Sequence, residues 1–499
     1  MFAGKNLLRI FVMTMGEFEQ FLLDHASDDT SRLLLGRAKW PSIDMDLAVH
    51  TIEGRRRILT KVPQWYGIPT LRYPTRLCTE QCSSAATARY KASLAARILA
   101  QSLTLSDTSH DTPSTQSGTP TGDAKDRSCT GNAALDTVRG TEDRSCTGRS
   151  GFVSSGGTEG LNCTRRGRIA DLTGGLGVDA WAFASVAAEV LHNEMDPALS
   201  DAVRHNFKVL GLENVTFRNA CVEPGTVGVV LDRFQPDLIF MDPARRASDG
   251  HKVFRLEDCQ PDVLQLLPEL SAYSRHLLLK ISPMADISLI VKQLDSVAQH
   301  SSNSIKGMSV REVHVIGAEG ECKELVLWSE RGWTGACTLH VSEIHDADGT
   351  ASTLTFPLEA ETSASPVYAQ TIGLADALLL EPGKALSKAG LFNTLSDRFG
   401  LPKLSRHTHL YLLPPGDSPH VLLDFGKVFR ILEVHELSGK TLKAIGKTWP
   451  QAEVTARDIP LSSDDLRRRL GVRSGGDIHI FGCRIAGNPR LLITRTSGI

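Results

Sequence analysis

The sequence predicts an α/β protein: a mostly parallel sheet with an antiparallel last strand, a helical region before it and small α+β units after it. Three observations carry this expectation. From Arg168 onward, short apolar runs alternate with helical stretches, with turn residues between them. The first run feeds a glycine-rich turn at Gly174, Gly175 and Gly177. Two later runs, Val310–Ile316 and Glu324–Trp328, flank Gly317–Gly320 as a hairpin, and a hairpin closing a βαβ series gives a mixed sheet.

The elements follow in order. Ile169–Leu172 reads as a strand, Val178–Val186 as a helix and Glu189–Asn193 as the next strand. Pro197–Leu210 is helical, and Val215–Asn219 is a strand. Asp237–Met241 is an apolar strand that ends at Asp242-Pro243. Pro261–Leu270 is helical, and His276–Ile281 has the unbroken apolar character of a buried strand. Upstream, Phe18, Phe21, Leu22 and Leu33–Leu35 suggest short amphipathic helices, and Ser83–Gln101 is a long alanine-rich helix. Downstream, Ala336–Glu343 and Thr353–Leu358 read as strands. Ser462 or Ser463 caps a helix over Asp464–Leu470, with acids first, arginines last and Gly471 as the stop. Asp477–Cys483 and Arg490–Arg495 then pair across Gly487-Asn488-Pro489.

Residues 101–167 differ in texture, being rich in Ser, Thr, Gly and Asp. DRSCTG begins at Asp126 and again at Asp143, and Cys129, Cys146 and Cys163 are spaced 17 residues apart. A repeat of that length without apolar periodicity cannot bury a core, so a disordered insertion is expected there.

At 499 residues the chain has room for two to four folding units. Its 41% hydrophobic and 22% charged residues are those of a soluble globular protein. A net charge of −2 excludes a global basic field, so any nucleic-acid surface must be local. Arg55–Arg57, Arg245–Arg246 and Arg467–Arg469 are the candidates. Ten cysteines without a CxxC pair give neither a disulfide framework nor a zinc module, and no metal is expected. The apolar stretch at the start is only about ten residues long and lacks a cleavage site, a poor signal peptide. Met13 or Met15 would serve equally as the start. No run is long enough to span a bilayer, so a cytoplasmic protein without a membrane partner is expected.

Four clusters can carry chemistry. Asp171-Leu-Thr173-Gly174-Gly175-Leu-Gly177-Val-Asp179 places an acid before the glycines, in the spacing D-x-G-x-G-x-G with Thr173 at the first glycine. A dinucleotide site would instead want G-x-G-x-x-G, to seat a pyrophosphate on a helix N-terminus. Glu194 ends the next strand, where a carboxylate can accept both hydroxyls of a ribose; Asp196 is the weaker alternative. Asn219-Ala220-Cys221 follows the third strand. Asp242-Pro243-Ala244-Arg245 sits at the carboxyl end of the fourth strand, the rim where open sheets hold their sites. Lys280 ends the fifth strand on that rim, and either meets substrate or is a solvated strand-end lysine. Glu321-Cys-Lys323-Glu324 reads as a charged sheet edge that discourages further pairing.

With their flanks, these residues resemble the class I S-adenosylmethionine-dependent methyltransferase family that carries a C-terminal THUMP-like domain. The resemblance also covers Lys61-Val-Pro63-x-Trp65, Tyr73-Pro74, Glu80–Ser84 and Thr87-Ala88-x-Tyr90-Lys91-Ala92 upstream. It continues through KISPMADI, ECKEL, Lys388–Phe392, Thr408–Tyr411 and the stretch from Arg457 to the end. It implies a Rossmann-like methyltransferase core over 168–330, behind an N-terminal helical region over 1–100. A small ferredoxin-like or connecting domain over 331–428 and a THUMP-like domain over 429–499 complete the expected organisation.

The resemblance further implies S-adenosylmethionine as cofactor, held by Asp171, Thr173, Gly174, Gly175, Gly177, Asp179 and Glu194, with Asn219, Ala220 and Cys221 at the adenine. Cys221 stands where an acid is common, and Arg245 where amino-methylating enzymes carry an aromatic. Asp242, Pro243, Arg245 and Lys280 form the implied catalytic set, Asp242 orienting the nucleophile and accepting its proton. An arginine at 245 can stack on a base or grip a phosphate. A structured RNA, tRNA or rRNA, is the implied partner. Methylation of a protein or small molecule, and a non-catalytic RNA-binding or assembly role, stay open beside it.

Overall fold

The computed structural model describes residues 16–107, 167–245, 256–300, 307–346, 348–370, 374–413 and 420–497. The chain divides into one unit of 1–102 with 166–499 and a second of 103–165. The expected disorder of 101–167 concerns residues that, apart from the two ends, lie outside those described, as does the start of the chain. The helix Ala85–Asp107 runs past the expected boundary at 101.

Among the described residues, eleven strands in chain order belong to the core: β1 Arg168–Asp171, β2 Glu189–Asn193, β3 Val215–Arg218, β4 Leu238–Met241, β5 Ala244–Arg245, β6 Cys259–Gln260, β7 His276–Ile281, β8 Met308–Ala318, β9 Glu321–Arg331, β10 Thr338–Ile344 and β11 Ala351–Pro357. Strands β5 and β6 pair with each other alone. The other nine form one sheet in the order β11-β10-β8-β9-β7-β4-β1-β2-β3. From β7 through β4, β1 and β2 to β3 the pairing is parallel, and β9 runs antiparallel to both β7 and β8.

The expected boundary at 330 therefore falls inside the sheet, because β10 pairs in parallel with β8 and β11 pairs antiparallel with β10. The charged stretch Glu321–Glu324 is not at an edge either. β9 lies between β8 and β7, and Glu324 is buried there. Pairing on both sides is what the sequence pattern alone could not show.

Alternation along the strands sorts side chains onto two faces. Ala170, Ile239, Met241, Leu277, Leu279, Leu325 and Leu327 join one apolar cluster, packed by Val263–Tyr273 and Ile287–His300. Ile169, Leu238, Phe240, Leu278, Val326 and Trp328 join the other. Onto this second face packs the helix Ala85–Asp107, with Ala88, Ala92, Ala95, Ile98 and Leu99 buried. Small alanines let the helix approach the sheet closely. The N-terminal helices thus form one of the layers that flank the sheet.

A second, six-stranded sheet follows: β12 Leu378–Pro382, β13 Tyr411–Leu413, β14 Gly426–Glu436, β15 Glu453–Ala456, β16 Ile478–Ile485 and β17 Asn488–Thr496. Its order is β13-β12-β14-β17-β16-β15. The expected division at 428 falls within β14, which joins β12 to β17 in this one sheet. Ser462 caps the helix Ser463–Leu470 through Asp465 N, and Gly471 ends it at φ +69°, as expected. No helix of the described residues is long and apolar enough to cross a membrane.

Candidate functional site

The site grows from β1. Asp171 ends that strand 1% exposed, and its Oδ1 accepts from Thr173 N at 3.1 Å. Its Oδ2 is buried without a hydrogen-bond partner. Burial first, and the neighbouring Asp179 second, push the Asp171 carboxyl well above the usual carboxylate range. The turn then has to fold tightly. A Cβ on Gly174 would lie 2.0 Å from the His192 ring of β2, and Gly177 enters the helix Val178–Ala184 at φ +81°. His192, buried under this turn, is held neutral with its pKa lowered to about 3.

The turn is tied to its neighbours. Gly175 N donates to Glu194 Oε2 at 2.9 Å, and Asp196 N donates to Glu194 Oε1 at 2.8 Å. Asp196 itself caps the helix Pro197–Val209 through Ala198 N and Leu199 N, which removes it as the rival to Glu194. Thr173 Oγ1 accepts from Asp242 N at 2.6 Å, so the residue at the first-glycine position links the turn to the end of β4.

These elements surround a cavity of about 770 Å³. Of the sequence-predicted residues, Thr173, Gly174, Gly175, Gly177, Asp179, Glu194, Ala220, Cys221 and Asp242 line it. Asp171 lies beneath the turn and Pro243 is buried; neither lines the wall. Asn219 does not line it either. Its Nδ2 donates to Glu194 O and Met195 O, fixing the end of β2. Cys221 is exposed, with Sγ 3.4 Å from Glu223 Oε1. The backbone of Arg245 belongs to β5; its side chain and Arg246 lie outside the described residues.

Lys280 is not solvated. Its Nζ donates to Asp242 Oδ2 at 2.5 Å and lies 3.9 Å from Glu324 Oε2. Burial works against the ammonium, but Asp242, Glu324 and Asp179 outweigh it and raise its pKa above the usual lysine value. Lys280 and Glu324 face an adjoining cavity of about 570 Å³, which shares Gln81, Cys82 and Ser83 with the first.

Sequence reasoning missed three contributors. Asn193 holds the floor, its Nδ2 donating to Leu172 O and Ala220 O. Thr75–Ser83, from the N-terminal helices, form a wall of the cavity. Behind that wall Lys91, fully buried, contacts Ser83, Asp179 and Glu324. The motif around Thr87–Ala92 was the one signal for Lys91. Two of the expected basic patches are committed elsewhere. Arg55 donates to Tyr66 O and Arg56 to Ala26 O and Asp28 O, while Arg467 and Arg468 pair with Asp464 and Asp465.

Among the described residues, Glu312, His314 and His340 form a group with metal-ligand character. Both imidazole Nε2 atoms approach Glu312 Oε2, at 3.1 and 3.3 Å, and Arg97 binds both carboxylate oxygens. The two rings stack 4.6 Å apart and nearly parallel, so a shared ion would lie well out of both ring planes. The group is a hydrogen-bonded cluster under the helix Ala85–Asp107.

Comparison with known proteins agrees with this architecture. A THUMP domain-like family model matches residues 426–496, and a ferredoxin-like domain model matches 379–414. The crystal structure of a proposed methyltransferase from Porphyromonas gingivalis W83 superposes with a TM-score of 0.69 at 27% identity, covering 96% of this chain and 97% of that one. Precorrin-6y C5,15-methyltransferase from Geobacter metallireducens GS-15 matches 35% of this chain and 84% of its own, at 12% identity and a TM-score of 0.22. Ribosomal protein L11 methylase from Lactobacillus delbrueckii subsp. bulgaricus matches 34% and 72%, at 15% identity and a TM-score of 0.23. Scores that low add nothing to the assignment. No curated protein matches the sequence significantly. The full-length structural match and the two C-terminal models together give the chain the architecture of a class I S-adenosylmethionine-dependent methyltransferase with a C-terminal THUMP-like domain.

Proposed function

We propose that the protein transfers a methyl group from S-adenosylmethionine to a structured RNA, tRNA or rRNA. The observation that carries the cofactor is electrostatic. Asp179, Glu194 and Asp242 line one cavity, and Asp171 lies beneath its turn with Oδ2 buried without a partner. Such a site suits a ligand that brings positive charge, as the ammonium and sulfonium of S-adenosylmethionine do. Glu194 would take the ribose hydroxyls, and the backbone at Ala220 and Cys221 the adenine edge. When bound, the cofactor supplies an electrophilic methyl group.

The chain's own residues then have two tasks. Asp242 accepts a hydrogen bond from the acceptor N–H or O–H, aligns its lone pair and takes its proton. Lys280 holds that carboxylate in place, and Thr173 fixes the Asp242 backbone against the cofactor turn.

The RNA assignment rests on charge in the C-terminal unit. Residues 426–496 hold 13 Lys and Arg against 7 Asp and Glu. On the helix Gly439–Thr448, Lys440, Lys443 and Lys447 are all exposed, and none pairs with a carboxylate among the described residues. Cations spaced along one helix without internal partners can bind phosphates.

The test is methyl transfer from labelled S-adenosylmethionine to purified tRNA and rRNA, with calorimetry for cofactor binding. Asp242→Ala is expected to lower turnover at least a hundredfold while leaving cofactor affinity within a few-fold. Undiminished turnover would remove Asp242 from the mechanism. A chain that binds NAD rather than S-adenosylmethionine would sink the function.

A further inference from the structure

Five charged side chains of alternating sign run from the cofactor turn to the acceptor acid: Asp179, Lys91, Glu324, Lys280 and Asp242. The middle of the string is buried, with Lys91 0% exposed and Glu324 4%. Lys91 Nζ donates to Glu324 Oε1 at 2.6 Å and to Ser83 Oγ at 3.0 Å. It also lies 3.0 Å from Asp179 Oδ1, whose Oδ2 accepts from Ser83 Oγ at 2.8 Å. Glu324 Oε2 lies 3.9 Å from Lys280 Nζ, while Lys280 holds Asp242 Oδ2 at 2.5 Å.

The inequality of the two Glu324 contacts is informative. A carboxylate in a dry interior binds the nearest ammonium as closely as geometry allows. Two ammoniums compete for Glu324, and Lys91 has the short contact. Lys280 is thereby left with its own short contact to Asp242. Without Lys91, Glu324 would be a buried carboxylate whose one ion-pair partner among the described residues is Lys280, and closing that 3.9 Å gap would draw Lys280 away from Asp242.

We propose that Lys91, on the helix Ala85–Asp107, is a positioning residue for methyl transfer: by holding Glu324 it keeps Lys280 on Asp242. The proposal rests on the reading of Asp242 as the acceptor-orienting acid. It gives the N-terminal helices a part in the chemistry, although Lys91 lines neither cavity. The charges acting on Lys280 are Asp242, Glu324 and Asp179; Cys82, Lys61 and Lys323 line the same cavity, with Lys61 held by Glu80 O and Cys82 O and Lys323 by Glu319.

The test compares Lys91→Met, Lys91→Arg and the double variant Lys91→Met with Glu324→Gln, by crystallography and by the separate turnover number and KM of methyl transfer. In Lys91→Met, Lys280 Nζ is expected on Glu324. The turnover number should fall about tenfold with the KM for S-adenosylmethionine within a few-fold, because the Asp242 carboxylate is no longer held toward the acceptor. Lys91→Arg keeps the charge and should restore turnover. The double variant removes the competing carboxylate, so Lys280 returns to Asp242 and turnover recovers with it. A merely structural role would lower stability without that return. Lys280 remaining on Asp242 in Lys91→Met overturns the proposal, as does a double variant in which it stays displaced. Should Lys91→Met not fold, the charge-balanced double variant decides alone. The crystallographic result stands apart from activity. If the native chain transfers no methyl group the proposed function falls, while the position of Lys280 still judges the role of Lys91.

Discussion

Residues 168–330 contain 15 Lys and Arg against 23 Asp and Glu, whereas residues 426–496 contain 13 against 7. The near-neutral whole, at −2, conceals this division. In the core, acids gather where a cationic cofactor would bind, and Asp171 is buried deeply enough to raise its pKa. In the C-terminal unit the unpaired cations stay in water on a helix surface. Buried charge sets local chemistry at short range, while exposed charge attracts a polyanion over roughly a Debye length. On the proposed reading, one region takes a small cation and the other phosphates.

Three experiments sharpen or break that contrast, beginning with the largest expected effect. Reversing Lys440, Lys443 and Lys447 to Glu should weaken RNA binding on the order of a hundredfold at low salt and flatten its salt dependence. S-adenosylmethionine affinity, measured by calorimetry, should not change. Unaltered RNA binding would detach the basic helix from the substrate.

Next come two adjacent glycines. Gly174→Ala drives a methyl group into the His192 ring, at a cost of roughly 1–3 kcal/mol of stability and about a tenfold loss of cofactor affinity. Gly175→Ala meets no atom within 4 Å and pays only for its φ of +52°, roughly 1 kcal/mol. Thermal melting with calorimetry distinguishes them; equal losses would mean that His192 does not set the shape of the turn.

The smallest effect is titration. Asp171 is raised, so in the free protein it holds a proton at pH values where an ordinary aspartate is ionised. A bound cation favours the ionised form and expels that proton, so affinity should rise with pH across the mildly acidic range, by less than tenfold per unit. Asp171→Asn should remove the slope. A slope that survives would assign the proton elsewhere.

The parts of the site legible in the sequence are those built locally. Asp171 through Asp179 is the end of one strand, one turn and the start of one helix, and Glu194 and Asp242 each directly follow a strand. Period-two alternation and glycine spacing suffice to read such units. Asn219 suits two jobs by residue type, and only the positions of Glu194 O and Met195 O show that its Nδ2 holds the chain just after β2. Glu324 was misplaced because a charged strand start looks alike at an edge and between two partners, and pairing with β7 and β8 decides the matter.

By itself, then, the sequence determined the strand–turn–helix unit, the acid–glycine–acid spacing and the rim position of Asp242, because each depends on backbone preferences within a few residues. The tertiary structure alone decided that the sheet runs on to β11, that N-terminal helices wall the cavity, and that Lys91 meets Glu324 across 233 positions of sequence. Those contacts depend on which face of the sheet each helix covers. That choice is made by burial summed over whole surfaces, which no local pattern encodes.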